Sequence, residues 1–504
     1  MSSRTTKDCA WLALAVAVSR YLFRTESPYL LDSINFILGV NEFDPTRHQP
    51  HPPGYYLYIQ GARLLQFVWS DPHTALVALS ILASCGAVVL VYLLSLQWFG
   101  RRAALFSGLL FVASPLCWFH GGVALVYIVE MFFSALVGLL CWRNAESRGK
   151  SAFSSAVALG LAAGVRQSSI VFLGPLWLFS LRRAGAARIA AACALLAATL
   201  LAWMLPMAAA SGGGEQYWDA LADLWNRAAG QGLTAGSIAS KMWPVVSRAL
   251  CVAVVYVLIF ATAAPLPLMR PMPGGFDSPK RLFAAVWIAP GLLFFVLIFM
   301  RLINGGYLLV LIPPVMAFLG AQAAEWFEES QSAGRGRLAV VGVFVALNIA
   351  AFLFTPTYFS YSHVRTDARE TIGIERALRG AAPPENTLIV GFDDHMHGAR
   401  HAGYYFPEYL SIECPGSATE RGVRIVAMRQ GNTEILQSLP AGPYQRFVLF
   451  PPRPSPADSP NLSTAREAFP PGALRVEKVG GYEVVTGSVR DLHYLFPEAA
   501  RMPE

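Results

Sequence analysis

The chain has 504 residues, of which 55% are hydrophobic and only 14% charged, against about 25% charged in ordinary soluble domains. The apolar residues come in long unbroken blocks, which excludes one large soluble core. The net charge of +7 lies in short clusters between those blocks, not in a basic tract interleaved with aromatics, which excludes nucleic acid as the expected partner.

The first block, 10–18, follows Lys7. It lacks a small-residue cleavage site and meets Arg20 early, so it reads as an uncleaved first span over 8–23. A polar loop, 24–73, follows. Further apolar blocks then predict crossings at 74–97, 103–119, 122–142, 151–165, 168–181, 186–209, 244–268, 282–300, 305–324 and 338–357, about eleven in all. The stretches 75–96, 282–300 and 338–354 contain no charged side chain. The clusters at Arg101-Arg102, 143–150, 182–188, 270–281 and 325–337 then fall on one side with Arg4 and Lys7, and make that side cytoplasmic.

Residues 151–181 admit two threadings. One tilted helix would bury Arg166 against another span and put Lys150 and Arg182 on opposite sides. Two half-spans of about 22 Å each, at 1.5 Å per residue, keep both clusters cytoplasmic and place Arg166-Gln167 at an outward tip. The hairpin reading is preferred, because an arginine inside a membrane segment is costly and marks function.

From about 358 the chain becomes mixed. A helix is predicted over 365–380 and strands over 387–392, 423–428, 447–451 and 474–485, which makes a small α/β domain of 358–504 beyond the membrane domain of 1–357. The N-terminus is expected in the cytoplasm and this domain outside the inner or plasma membrane. The seven cysteines form no CxxC pair, so neither a disulfide scaffold nor a zinc knuckle is expected. A Walker phosphate loop and the serine-elbow and zinc-protease signatures are missing from the sequence.

Four stretches carry polar chemistry. The first outer loop has Asp32-Ser33, then Arg47-His48-Gln-Pro-His51-Pro52-Pro53-Gly54-Tyr55-Tyr56-Leu-Tyr58. Later come Tyr127-Ile-Val-Glu130, then Gly160-Leu-Ala-Ala-Gly164-Val-Arg166-Gln167, and Asn304-Gly-Gly-Tyr307 running on to Pro313. An acid soon after the first span, then a Pro-Pro-Gly-Tyr turn entering an aromatic helix, resembles the GT-C membrane glycosyltransferases. The likeness is to protein mannosyltransferases and lipid A aminoarabinose transferases (glycosyltransferase family 39). It covers about the first 325 residues and rests on the order and spacing of the motifs.

The resemblance implies a polytopic all-α GT-C-like membrane domain. It also implies transfer of a sugar from a polyprenyl-phosphate carrier to a protein or envelope glycolipid acceptor on the outer side, with inversion. The family's loop acid maps onto Asp32 as the base that takes the acceptor hydroxyl's proton. Arg166, with Arg301 or Arg47, is the candidate cation for the departing phosphate. His51, which stands where the aminoarabinose enzymes have lysine, and Gln167 are further candidates at the donor. Glu130, Tyr127, Tyr55, Tyr56, Asn304 and Tyr307 are placed in the cavity, and Tyr58 joins the two preceding tyrosines at the lipid–water boundary.

Other readings of the same residues stay open. Ser33 replaces a second acid, so no metal or other cofactor is firmly implied, and Asp32 could instead cap a helix over 33–38. Glu130, about 12 Å down a span starting at 122, either lines the cavity or pairs with Arg166. The run 393–401, with His395, His397 and His401, could ligate a metal or form a loop facing sugar or acceptor. The aromatics of 404–409 could stack on a sugar or simply pack. The rival functions are a secondary transporter or lipid flippase, and a membrane-anchored sensor with an outer ligand-binding domain.

Overall fold

The computed structural model describes residues 2–231, 275–298, 302–330, 336–394, 396–414, 417–419, 422–440, 442–454 and 460–497. They form two compact units. The first comprises 1–26, 39–46 and 51–364, and the second 27–38, 47–50 and 365–504. Two pieces of the first outer loop therefore group with the tail and not with the helices.

The helices of the first unit are α1 (Ser3–Leu22), the end of α2 (Leu31–Asn41), α3 (Tyr56–Leu65), α4 (Pro72–Phe99), α5 (Arg101–Ala113), α6 (Pro115–Gly121), α7 (Tyr127–Glu146), α8 (Ala152–Val165), α9 (Ser168–Leu181), α10 (Ala186–Ala210), α11 (Gly214–Gln231), α12 (Ser278–Ile298), α13 (Ile312–Ser330) and α14 (Gly336–Phe354), with a 3₁₀ segment at Leu302–Leu311 before α13. Each expected span coincides with one helix or a broken pair, apart from 244–268, which lies outside the described residues. Among the described residues, four helices are long and apolar enough to cross a membrane, or five if a bent pair counts as one span. The stretches 152–165, 168–181 and 341–354 are apolar but shorter.

Local chemistry fixes the ends. Asp71 accepts from the Thr74 amide at 2.8 Å and Pro72 opens α4, a side-chain cap followed by a residue with no amide hydrogen to lose. The α5–α6 pair bends by 62°. Pro115 cannot continue the hydrogen-bond ladder. The buried guanidinium of Arg20 donates to the carbonyls of Phe111 (3.2 Å) and Val112 (2.7 Å) at the break. Helices α8 and α9 are antiparallel: the Trp177 indole donates to Ser155 Oγ at 3.1 Å, and the two residues are equidistant from Arg166 along the chain. Residues 151–181 thus form a helical hairpin and not one continuous helix, and Arg166 at the break is buried. Its core is aromatic: Trp98, Trp142, Phe283 and Trp287 meet edge to face, with Gly138 flush against the Trp287 ring.

The second unit is built on a sheet of order β3-β4-β2-β1-β6-β8-β7, with β5 paired to β4. The strands are β1 (Thr387–Phe392), β2 (Leu410–Cys414), β3 (Ser417–Thr419), β4 (Gly422–Arg429), β5 (Asn432–Leu436), β6 (Arg446–Pro454), β7 (Leu474–Val479) and β8 (Tyr482–Ser488). The central β1 is parallel to β2 and β6 and buried along its whole length, as a strand covered on both faces must be. Alternate residues feed two cores. Leu388 and Val390 pack with Leu462 and Ala465 of α17 (Pro460–Glu467), while Ile389 packs with Ile374 and Leu378 of α15 (Tyr361–Ala381). The short α16 (Ala399–Tyr405) supplies the crossover from β1 to β2. The expected strand at 474–485 is a hairpin, turned at Gly480-Gly481, where both φ values are positive and two glycines suit the tight connection.

Candidate functional site

In the first unit the polar residues converge on the break between α8 and α9. Arg166 leaves α8 with extended backbone, and its Nη1 meets Glu130 Oε2 at 2.8 Å, the side chains being 4% and 1% exposed. Ser169 Oγ donates to the other carboxylate oxygen at 3.1 Å. The guanidinium lies 3.8 Å from the Tyr307 ring centroid and 4.9 Å from that of Tyr127, within cation–π range. Gly306 makes room for this stack, since a Cβ there would enter the Tyr127 ring.

Of the two readings of Glu130, pairing with Arg166 is the one observed, and its depth needs correcting. Residues 122–126 are not helical, so α7 begins at Tyr127 and Glu130 stands in its first turn, not about 12 Å down a helix begun at 122. A carboxylate there is also favoured by the positive end of the helix dipole. The sequence reading missed His120. It is 1% exposed, its ring lies 5.1 Å from Tyr127 and 5.7 Å from Phe359, and neither ring nitrogen has a hydrogen-bond partner. A lone histidine ending an apolar block was the available signal.

The Pro-Pro-Gly-Tyr turn is clamped from two sides. Gln167 Nε2 donates to Pro53 O at 2.8 Å, and Tyr217 Oη donates to the same carbonyl at 3.0 Å. Gly54 has φ 108° and Tyr55 φ 48°, so the first must be glycine and the second carries left-handed backbone into α3. His51 Nε2 is 3.1 Å from Tyr55 Oη. Tyr56 meets Phe43 edge to face. Tyr58 and Tyr55 are buried within the unit, which fits packing better than a role at the lipid–water boundary; Tyr56 is half-buried. Arg301 lies outside the described residues, and Asn304 falls in the 3₁₀ segment before α13.

In the second unit Asp32 is half-buried in the first turn of α2. The helix starts at Leu31, so Asp32 lies in its first turn and not ahead of a helix over 33–38. Arg400 of α16 donates from Nη1 to Asn35 Oδ1 at 3.1 Å and His48 O at 3.4 Å, and from Nη2 to Arg47 O at 2.9 Å. Arg47 Nη1 donates to Thr433 O at 3.4 Å, and Tyr405 Oη to Pro28 O at 2.7 Å. Phe406 and Tyr409 are buried, the latter donating to Ala382 O at 2.6 Å, so these two aromatics of 404–409 pack.

The histidine-rich run folds mostly into local contacts. His401 Nδ1 accepts from the Gly398 amide at 3.1 Å. His397 Nε2 lies 3.4 Å from Asp367 Oδ1 and 3.3 Å from Thr371 Oγ1. Burial, reinforced by Glu370, pushes the Asp367 carboxyl up to about 7, and burial holds His397 below its ordinary value. Burial opposes charge on both groups. His395 lies outside the described residues. Among those described, no group of three or more His, Cys, Asp or Glu side chains could hold a metal ion.

Residues 46–187 match the family model described as the Protein O-mannosyl-transferase TMEM260 N-terminal domain. No curated protein matches the chain by sequence. Two crystal structures of ArnT from Cupriavidus metallidurans match at a TM-score of 0.55. One is bound to undecaprenyl phosphate (13% identity, 96% of this chain and 98% of that one). The other is in the apo state (12% identity, 95% of this chain and 98% of that one). The Archaeoglobus fulgidus oligosaccharyltransferase matches more loosely, with a TM-score of 0.44 at 13% identity over 76% of this chain and 60% of its own. The resemblance to protein mannosyltransferases and aminoarabinose transferases read from the motifs is borne out. The chain has an ArnT-like GT-C fold, helices followed by a small C-terminal sheet domain.

Proposed function

We propose that this chain is a glycosyltransferase that moves a sugar from a polyprenyl-phosphate donor to a protein or envelope glycolipid acceptor on the extracytoplasmic side of the membrane. The observation that carries this reading is the likeness of 96% of the chain to an enzyme crystallised with undecaprenyl phosphate. The match of 46–187 to a protein O-mannosyltransferase domain supports sugar transfer and favours a protein acceptor.

In the proposed step the acceptor hydroxyl oxygen attacks the anomeric carbon as the bond from that carbon to the phosphate oxygen breaks. Asp32 takes the hydroxyl proton, and the bonding pair leaves with the polyprenyl phosphate. One displacement inverts the anomeric centre. The phosphate gathers charge as it leaves, so fixed cations lower the barrier. Arg166, Arg47 and Arg301 are assigned that task, with Glu130 and the rings of Tyr127 and Tyr307 holding the Arg166 guanidinium. Gln167 and His51 support the donor end through the Pro-Pro-Gly-Tyr turn, and Tyr55, Tyr56 and Asn304 complete the cavity. The C-terminal domain biases acceptor choice.

The test is transfer in isolated membranes from a panel of radiolabelled polyprenyl-phosphate sugars into protein and glycolipid fractions, comparing the parent with Asp32→Asn. Loss of a general base lowers the rate by roughly 10²–10⁴-fold. Equal incorporation by both would remove Asp32 from the mechanism. No incorporation by the parent from any donor would shift the reading to a transporter or flippase.

A further inference from the structure

Arg400 stands on α16 in the sheet domain, yet its guanidinium reaches the first loop. It is 5% exposed. Burying a guanidinium is expensive unless its donors are met, and here the acceptors are Asn35 Oδ1, His48 O and Arg47 O. Asn35, itself 3% exposed, follows Asp32 by three positions in α2, and residues so spaced share one helix face. The two carbonyls belong to the second loop segment, where His48 holds a left-handed backbone at φ 58°. One side chain thus ties both loop segments, 27–38 and 47–50, to the sheet.

Independent contacts support the same docking. Ile34 and Leu38, on the buried side of α2, pack with Met428 of β4, and Tyr404 lies against them. Tyr405 reaches Pro28 O from the same short helix. Gly403 gives Met428 its place, since a Cβ there would collide with the Met428 side chain. The segment of 393–401 that looked like a metal or sugar loop is in this light a bracket for the loop that carries Asp32.

We infer that Arg400 is a positioning residue through which the C-terminal domain sets the place of the Asp32 carboxylate. The consequence for turnover rests on the reading of Asp32 as base; the docking does not. A base displaced by about 1 Å can cost on the order of 10²-fold in rate, so the effect belongs in kcat and not in donor affinity.

The experiment uses the full chain in lipid nanodiscs, with Arg400→Gln, Arg400→Lys and Asn35→Ala beside the parent. Hydrogen–deuterium exchange is read at 27–38 and 47–50, with β1 as the control for an intact sheet. Arg400→Gln should raise exchange in both segments by about tenfold or more and leave β1 protected, with Arg400→Lys intermediate. With whichever polyprenyl-phosphate sugar the parent uses, kcat should fall about 10–100-fold while the donor KM stays within about threefold. If β1 also loses protection in Arg400→Gln, Asn35→Ala makes the same comparison without touching a side chain of the sheet domain. Unchanged exchange in both segments would overturn the docking. Raised exchange with unchanged kcat would overturn positioning. A parent inactive with every donor would sink the transferase reading, and the exchange data would still decide the docking.

Discussion

Glu130→Gln is the sharpest test of the break between α8 and α9. The change keeps the shape and one oxygen that can accept from Arg166 Nη1, removes the charge, and puts an amide nitrogen in place of the oxygen that accepts from Ser169 Oγ. The parent pair sits at 2.8 Å with both side chains almost fully buried. Two charges about 4 Å apart attract by on the order of 4 kcal/mol at an effective dielectric of ~20, and stranding one partner of a buried pair costs about 3–5 kcal/mol. The Tyr307 ring, 3.8 Å from the guanidinium, holds part of the cation's energy, up to about 2 kcal/mol when desolvated. We therefore expect a loss near the lower bound, about 3 kcal/mol. Pairing Glu130→Gln with Arg166→Met should restore stability to within about 1.5 kcal/mol of the parent, because both buried charges then disappear together. Denaturant titration in detergent micelles, fitted for parent, single and double variants, measures this. A loss below about 1 kcal/mol for Glu130→Gln, as for an exposed pair, would mean the pair is not desolvated. A double variant weaker than the single would mean that Arg166 is held by something other than Glu130.

Two further perturbations test the packing and the soluble unit. Gly138→Ala drives a methyl group into the Trp287 ring, which is fully buried and tied to Ser134 Oγ at 3.0 Å; overpacking should cost about 1–3 kcal/mol in the same titration, and an unchanged midpoint would contradict the close approach of α7 and α12. Asp367→Asn tests the contact with His397. The folded pKa of Asp367, about 7, is raised from 3.8, so its contribution is fully present below pH 4 and is lost as the pH rises through 7. His397 is shifted down and works in the opposite sense, its contribution being present above its unfolded value and lost as the pH falls through the folded one. The parent's advantage over Asp367→Asn should therefore shrink between pH 4 and 7, by at most about 1.4 kcal/mol per pH unit. Thermal melting followed through the amide I band of the sheet reads this, and a pH-independent difference would show that Asp367 is ionised in the folded state.

What the sequence could deliver depended on how local its cause was. The apolar helices were legible because crossing a bilayer needs about 20 apolar residues in a row. The α8–α9 hairpin was legible because one arginine in the middle of an apolar stretch forces a choice of threading. The Arg166–Glu130 pair was legible only as one of two options, since buried charges need partners but spacing does not name them. The Gly480-Gly481 turn was present to be read and was passed over inside a single strand assignment. The short strands β2, β3 and β5 had too few residues for a two-residue alternation to stand out.

The placement of Asp32 belongs to a different category. Its position just after the first span nominates it, but segments as short as 27–38 and 47–50 bury too little apolar surface alone to offset the entropy of ordering them. Order comes from Met428, Tyr405 and Arg400, and the Arg400–Asn35 bond joins residues 365 positions apart. No periodicity or motif within the loop encodes such a contact. A sequence can therefore nominate an acid while leaving its orientation to the far end of the chain, and substitutions in the sheet domain should move Asp32 without touching a single residue of the motifs that nominate it.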